Sequence, residues 1–307
     1  MTATSSRGEK GGKLPGLIVA FEGIDGSGLG THSRGLLRYL QERLGLAARR
    51  DKEPSRGPVG DLIWQAMTGL YPSLAWNPVL ALLFAADRLH HLYRKAAGTP
   101  AAQGGLLHLA SQGHWVVLDR YKYSSLVYQS MAAPGSLGRV PEDWVALVNQ
   151  YAPPPHILVY LDVDPGVAAE RIVETRKEVQ LYEQLDALRR VKEAYDRLAA
   201  RLAAEPEYCP GSGSAPWEDL MRGAGLEPRS LYPQGACYPA VVVARETPGG
   251  RERPVEEVQE DIRAAVVAAA ARLGHQGLDR EVVEWAEGRL REAEARGRIE
   301  LRLHRKP

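Results

Sequence analysis

The stretch Gly23-Ile24-Asp25-Gly26-Ser27-Gly28-Leu29-Gly30-Thr31 has residue types and spacing that suit the holding of a phosphate. Glycines admit positive φ, so successive N–H groups in such a turn can converge on one concavity. Gly23, Gly26, Ser27 and Gly28 carry that shape. A helix beginning near Thr31 adds the positive end of its dipole to the same spot. Two positions depart from the pattern G-x-x-x-x-G-K-[ST]: Leu29 stands where the lysine belongs, and Gly30 where the magnesium-binding hydroxyl belongs. Thr31 is one place late.

Other chemistry-bearing residues follow apolar runs. Residues 115–118 read as a buried strand that ends in Asp119-Arg120-Tyr121, and residues 156–162 as another that ends in Asp162-Val163-Asp164-Pro165. Charges at the carboxyl ends of parallel strands are where α/β sheets take their ligands, although a strand-end salt bridge between Asp119 and Arg120 fits the spacing equally. On a helix over 78–95, Leu80, Leu83, Phe84, Asp87, Arg88 and His91 share one stripe. Arg88 there is either a solvated charge or a cleft-facing one, and Phe84 either core or a flat face for a ring.

Short apolar strands alternating with helices position these residues. Strands are expected at 17–22, 46–50, 115–118, 156–162 and 240–244. Helices are expected at 33–44, 58–67, 78–95, 106–112, 124–130 (capped by Ser124), 141–151, 166–175, 178–204 and 254–273. This order predicts a doubly wound parallel sheet with flanking helices, its strands uniformly apolar because both faces are covered. Residues 1–14 read as a disordered lead and 15–275 as the main domain. Within that domain, 205–238 reads as an irregular, Pro- and Gly-rich insertion with a short helix near 217–222. Residues 276–307 read as a charged helical extension whose expected fate is to pack back on the domain; partner binding is the alternative.

The 307 residues carry a formal net charge of +1, which argues against a general nucleic-acid surface. No apolar run reaches the ~20 residues of a membrane span, and the polar N-terminus lacks a signal-peptide core, so the expected location is cytoplasmic with no membrane partner. Cys209 and Cys237 are too few for a zinc site; two inert thiols or a single bridge remain open.

Taken together, Phe21 to Gly28, the Leu83 to Arg88 segment, Asp119-Arg120-Tyr121 with Ser124-Ser125 and Tyr128-Gln129, and Leu161 to Pro165 stand in the order found in thymidylate kinases, which this chain resembles over 17–204 and again over 240–273. Lys52-Glu53-Pro54 is similar to that family's Arg-Glu-Pro motif, and 171–183 to its arginine-bearing lid. The resemblance implies a P-loop nucleotide kinase fold, transfer of the γ-phosphoryl group of ATP to dTMP, Mg²⁺, and a homodimer. It implies that Gly23 and residues 26–31 bind ATP phosphates. It further implies that Phe84 stacks on thymine, that Arg88 meets its carbonyl edge, and that Ser124, Tyr128 and Gln129 line the nucleoside pocket. Lys52 and Arg120 would hold the acceptor phosphate, Asp25 would lie near the sugar hydroxyl and that phosphate, and Arg171 and Arg176 would reach ATP. Thr31 and Asp119 are the expected metal ligands.

Losing one preorganised donor in such a site typically costs ~10²–10³ in rate. Three accounts of the loop therefore stand side by side. Arg171, Arg176 or Lys177 replaces the charge; or the protein binds nucleotide and transfers nothing; or it phosphorylates another nucleoside monophosphate.

Overall fold

The computed structural model describes residues 14–93, 104–131, 140–175, 181–204, 215–232 and 239–303. Its centre is a six-stranded sheet: β1 (Ile18–Gly23), β2 (Ala48–Lys52), β3 (Trp115–Asp119), β4 (Ile157–Asp162), β5 (Ala240–Arg245) and β6 (Ile299–Arg302). The spatial order is β2-β3-β1-β4-β5-β6, and all neighbours are parallel except β5 and β6. β1 is buried along its whole length and β3, β4 and β5 at all but their last residue, as strands covered on both faces must be. β2 is the polar edge, placed two residues later than its sequence suggests.

Helices α1 (Leu29–Arg38), α2 (Pro58–Met67), α3 (Asn77–Tyr93), α4 (Leu106–Ser111), α5 (Lys122–Tyr128) and α6 (Glu142–Val148) follow the expected order, with a π-helical turn at Tyr39–Arg43 closing α1. Then come α7 (Pro165–Thr175), α8 (Leu181–Ala204), α9 (Pro216–Gly223), α10 (Pro228–Leu231), α11 (Val255–Arg272) and α12 (Arg280–Ala295). One face of the sheet packs Val19, Phe21, Val117 and Val159 against residues of α1, α8 and α11; the other packs Ile18, Ala20, Val116 and Leu118 against those of α3 and α4.

Three departures from the sequence reading have physical causes. Ser124 does not cap a helix: α5 begins at Lys122, and the Ser124 hydroxyl donates to the buried carboxylate of Glu22 at 2.6 Å. The Pro-rich insertion is partly core, because Ala215, Trp217, Met221, Leu231 and Tyr232 bury against the second sheet face. His156 ties it down: its Nδ1 accepts from the Ile18 N–H at 2.9 Å, so its Nε2 donates to the Leu231 carbonyl at 2.9 Å, while the ring stacks on Tyr232. Burial pushes this imidazole down to about 4, which keeps it neutral. The tail, finally, is a helix followed by an antiparallel edge strand, with Ala244 opposite Ile299 and Val242 opposite Leu301. Cys209, Cys237, Arg176, Lys177 and residues 1–13 lie outside the described residues.

Candidate active site

β1 is the strand at which the winding reverses, since β3 lies on one side of it and β4 on the other. Ligands of open α/β sheets bind outside the carboxyl ends of strands at such a point. Strand register delivers the expected residues there. Asp119 is opposite Phe21 on one side and Lys52 on the other, so the loop after β1, the Lys52-Glu53-Pro54 turn and Arg120 emerge side by side. Together with α3 and α5 they enclose a cavity of about 490 Å³.

The glycine turn runs from β1 into α1. Gly26 and Gly28 take φ of 79° and 83°, and Gly28 caps α1, accepting from the N–H groups of Thr31 at 2.9 Å and His32 at 3.0 Å. A Cβ at Gly26 would lie 2.3 Å from the carbonyl oxygen of Ala168 on α7, so only glycine lets this turn close against that helix. The Ser27 hydroxyl is buried without a hydrogen-bond partner among the described residues. Gly23, Asp25, Ser27, Leu29 and Gly30 are near neighbours along this turn, and all but Gly23 border the cavity. Leu29 is 7% exposed and packs into the apolar core.

Arg120 sits in the left-handed region at φ 70°, where a non-glycine residue is strained. Its guanidinium donates to Asp25 Oδ1 at 2.6 Å, and to the Gly23 carbonyl and Ser124 Oγ at 3.1 Å each, while lying over the Tyr128 ring. The simple strand-end pair is therefore not formed: Arg120 pairs with Asp25, and Asp119 pairs with Arg50, whose Nε also donates to Ser33 Oγ at 2.7 Å.

Arg88 is cleft-facing rather than solvated. It is 1% exposed, donates to Glu53 at 2.8 Å from Nε, and reaches Asn149 and Ser125 through its other nitrogens. Asp87, beside it, accepts from the Ser55 N–H and hydroxyl at 2.7 and 2.6 Å, which pins the turn after β2 to α3. Phe84, Arg88, Tyr128 and Gln129 line the cavity, and the Gln129 Oε1 is buried with no partner among the described residues. Lys52 also lines it, its ammonium 4.8 Å from the Trp64 ring. Trp64, Met67 and Leu80 complete an apolar wall; the sequence placed Leu80 on the Phe84 stripe but did not flag Trp64 or Met67, whose apolar side chains on a helix beside the Lys52 turn were the available signal.

Below this pocket lies Glu22, fully buried. Its carboxylate accepts from the N–H groups of Tyr121 and Ser124, from the Ser124 hydroxyl and from Tyr195 OH at 2.9 Å. Burial pushes the carboxyl up to about 7, against the pull of the Ser124 hydroxyl and of Arg120. Arg171 on α7 lies behind the glycine turn, bound to Glu246 at 3.0 Å and Glu252 at 2.5 Å, with a longer bond to the Gly26 carbonyl. Glu246 also faces the buried His32, 2.9 Å away.

The donors for a protein-held Mg²⁺ do not fit. Gly30 has no hydroxyl, Thr31 is exposed, and Asp119 already holds the Arg50 guanidinium. Among the described residues no three His, Cys, Asp or Glu side chains cluster as a metal site. The arrangement instead offers backbone amides, a flat apolar wall and several guanidinium groups, which suits two phosphorylated ligands and an aromatic ring.

Comparison with known proteins agrees with this chemistry. A family model described as thymidylate kinase matches residues 21–205. A protein of Aeropyrum pernix named for thymidylate kinase is 35% identical over 258 residues, covering 82% of this chain and 96% of its own. One from Pyrobaculum aerophilum, named likewise, is 37% identical over 186 residues, 60% of this chain and 83% of its own. One from Treponema pallidum is 33% identical over 181 residues, 59% and 78% respectively.

Proposed function

Because this chain belongs to the thymidylate kinase family, we propose that the cavity at the carboxyl ends of β1, β2 and β3 is where it transfers the γ-phosphoryl group of ATP to dTMP, giving dTDP and ADP. Family membership makes it a nucleoside monophosphate kinase of the dTMP type. The observation that carries the residue-level reading is convergence. Segments from four places in the chain, ending in Asp25, Lys52, Arg88 and Arg120, line one cavity with the glycine turn.

In this reading the ATP phosphates lie on the amides of residues 26–31, at the positive end of α1. The thymine ring lies against Phe84, with Arg88 toward its carbonyl edge in a plane fixed by Glu53 and Asn149. Ser124, Tyr128 and Gln129 flank the nucleoside, and the unpartnered Gln129 Oε1 accepts from it. Arg120 and Lys52 hold the acceptor phosphate, Asp25 orients Arg120 beside the sugar, and Arg171 backs the glycine turn through the Gly26 carbonyl; Arg176, expected to reach ATP, lies outside the described residues. An acceptor phosphate oxygen forms its bond to the γ phosphorus as the bond to the β–γ bridging oxygen breaks, and ADP departs with that electron pair. Such a transfer asks the protein for positioning and charge and little covalent chemistry. Mg²⁺ arrives with ATP as part of the co-substrate.

The kinase-like segment spans 15–275, and 276–307 adds a helix and an edge strand to the same core. A homodimer fits the exposed Leu82, Leu147 and Tyr151 on and beside α3 and α6. No described helix is long and apolar enough to cross a membrane; the cytoplasm is the proposed location.

Purified protein given dTMP, ATP and Mg²⁺ should form ADP at a rate that depends on dTMP. ADP formation with some other nucleoside monophosphate alone would move the substrate assignment. No ADP with any of them, alongside a melting temperature raised by ATP, would replace the enzyme with a nucleotide-binding relative.

A further inference from the structure

The glycine turn has the shape of a phosphate cradle and no cation at residue 29, so the question is which charge meets the terminal phosphates. Arg171 is a poor answer, because its guanidinium is shared between Glu246 and Glu252. Arg50 is another, because Asp119 and Ser33 hold it. Arg34 differs from both. It lies one helical turn after Gly30 on the same face of α1, it is exposed, and among the described residues it has no ion pair or hydrogen bond.

Its position is tied to the missing side chain. A Cβ placed on Gly30 would meet Arg34 Nη1 at 3.2 Å and Nη2 at 3.6 Å, with Asp119 Oδ2 at 3.5 Å. The guanidinium thus lies over Gly30, where a residue-30 side chain would otherwise stand. Gly30 and Asp119 both border the cavity. The Asp119 carboxylate beside it is already paired with Arg50.

We propose that Arg34 is the phosphate-binding cation of this site: through the space left by Gly30, its guanidinium binds the β- and γ-phosphate oxygens of ATP and offsets the charge that builds on the bridging oxygen as ADP leaves. The assignment rests on the phosphate-site reading above. A planar fork can hold two phosphate oxygens at once, so it performs the lysine's task with different geometry. Glycine at 30 then belongs to the device, since any side chain there pushes the guanidinium aside.

The test measures kcat and KM for ATP, and ADP affinity by calorimetry, on the full-length protein with Mg²⁺ present. Arg34→Ala should lower kcat/KM for ATP by about 10²-fold and weaken ADP binding, with an unchanged melting temperature. Arg34→Lys should recover at least about tenfold of that loss. Gly30→Thr should fall as Arg34→Ala does, although it moves the loop toward the common motif. Arg38→Ala, one turn further along the same helix, should match wild type. An active wild type with Arg34→Ala inside twofold of it, or a Gly30→Thr variant that gains activity, overturns the role of Arg34 and leaves the site standing. A wild-type protein that binds neither ATP nor ADP overturns the phosphate-site reading and this assignment with it.

Discussion

At the scale of single residues, Glu22 is the group with the most to report. Its carboxyl is buried under the pocket floor, and desolvation holds it near 7 although four donors face it. Between about 4.5 and 7 the unfolded chain has lost a proton that the native protein keeps. The stability this group contributes is therefore complete below about 4.5 and is lost as pH rises through about 7, on the order of 3 kcal/mol in all. Glu22→Gln has no such proton to lose. Denaturant midpoints at pH 5 and pH 8 should separate the two proteins, wild type falling more than the variant; parallel pH slopes would remove Glu22 as the cause. What could be read of the site in the chain follows the same logic. Asp25 and Arg120 could be placed because they follow the strands β1 and β3, Arg88 because it shares a helical stripe with Phe84, and Gln129 only through the resemblance. The Arg50–Asp119 pair was not, since Arg120 is the nearer candidate in sequence and only the β2–β3 register brings Arg50 across. Arg34 gave no signal either: an arginine on an exposed helical position means nothing until the glycine one turn before it is seen to leave room.

Among the elements, the junction of the glycine turn with α7 decides whether the cradle keeps its shape. Gly26 has positive φ and faces the Ala168 carbonyl, so Gly26→Ala combines backbone strain with a steric overlap that no rotamer relieves. Loss of about 1–3 kcal/mol is expected, together with weaker ADP binding, because the displaced turn carries the phosphate-facing amides. Calorimetric melting with and without ADP measures both. A variant as stable as wild type that keeps its ADP affinity would mean that the turn yields freely and that α7 does not shape it. Sequence periodicity found most elements because their apolar faces repeat cleanly. It found the short helix near 217–222 but missed that this segment joins the core, because prolines and glycines dominate the composition there while the few apolar residues, Trp217, Met221, Leu231 and Tyr232, do the burying. It also passed over β6, although Ile299-Glu300-Leu301-Arg302 alternates as a half-covered strand does. The run is short and sits in a charged tail, so composition outweighed pattern.

For the molecule as a whole, α11 shows that the sheet and the charged tail stabilise each other. Seven consecutive residues, Ala264 to Ala270, have no measurable exposure, so this stretch of α11 is apolar on every side and needs cover on both. The sheet supplies one cover; α12 supplies the other, through buried Ala286, Leu290 and Ala293. Arg289 reaches the buried Asp261 of α11 at 2.8 Å, where Arg253 also binds, so the contact is polar as well as apolar. β6 then covers the edge of β5, which lies beside β4 and so two strands from β1 and the glycine turn. A tail hung outside an independent domain could be damaged without cost to the site. A tail that closes the core could not. Leu290→Ala, which empties a fully buried position, should lower the unfolding free energy by about 2–5 kcal/mol. It should shift a single cooperative transition seen alike by intrinsic fluorescence and by protection of bound ADP from release. Two separated transitions, with the ADP-linked one unmoved, would instead mean that residues 276–307 fold on their own account and that the kinase unit ends where the sequence first suggested.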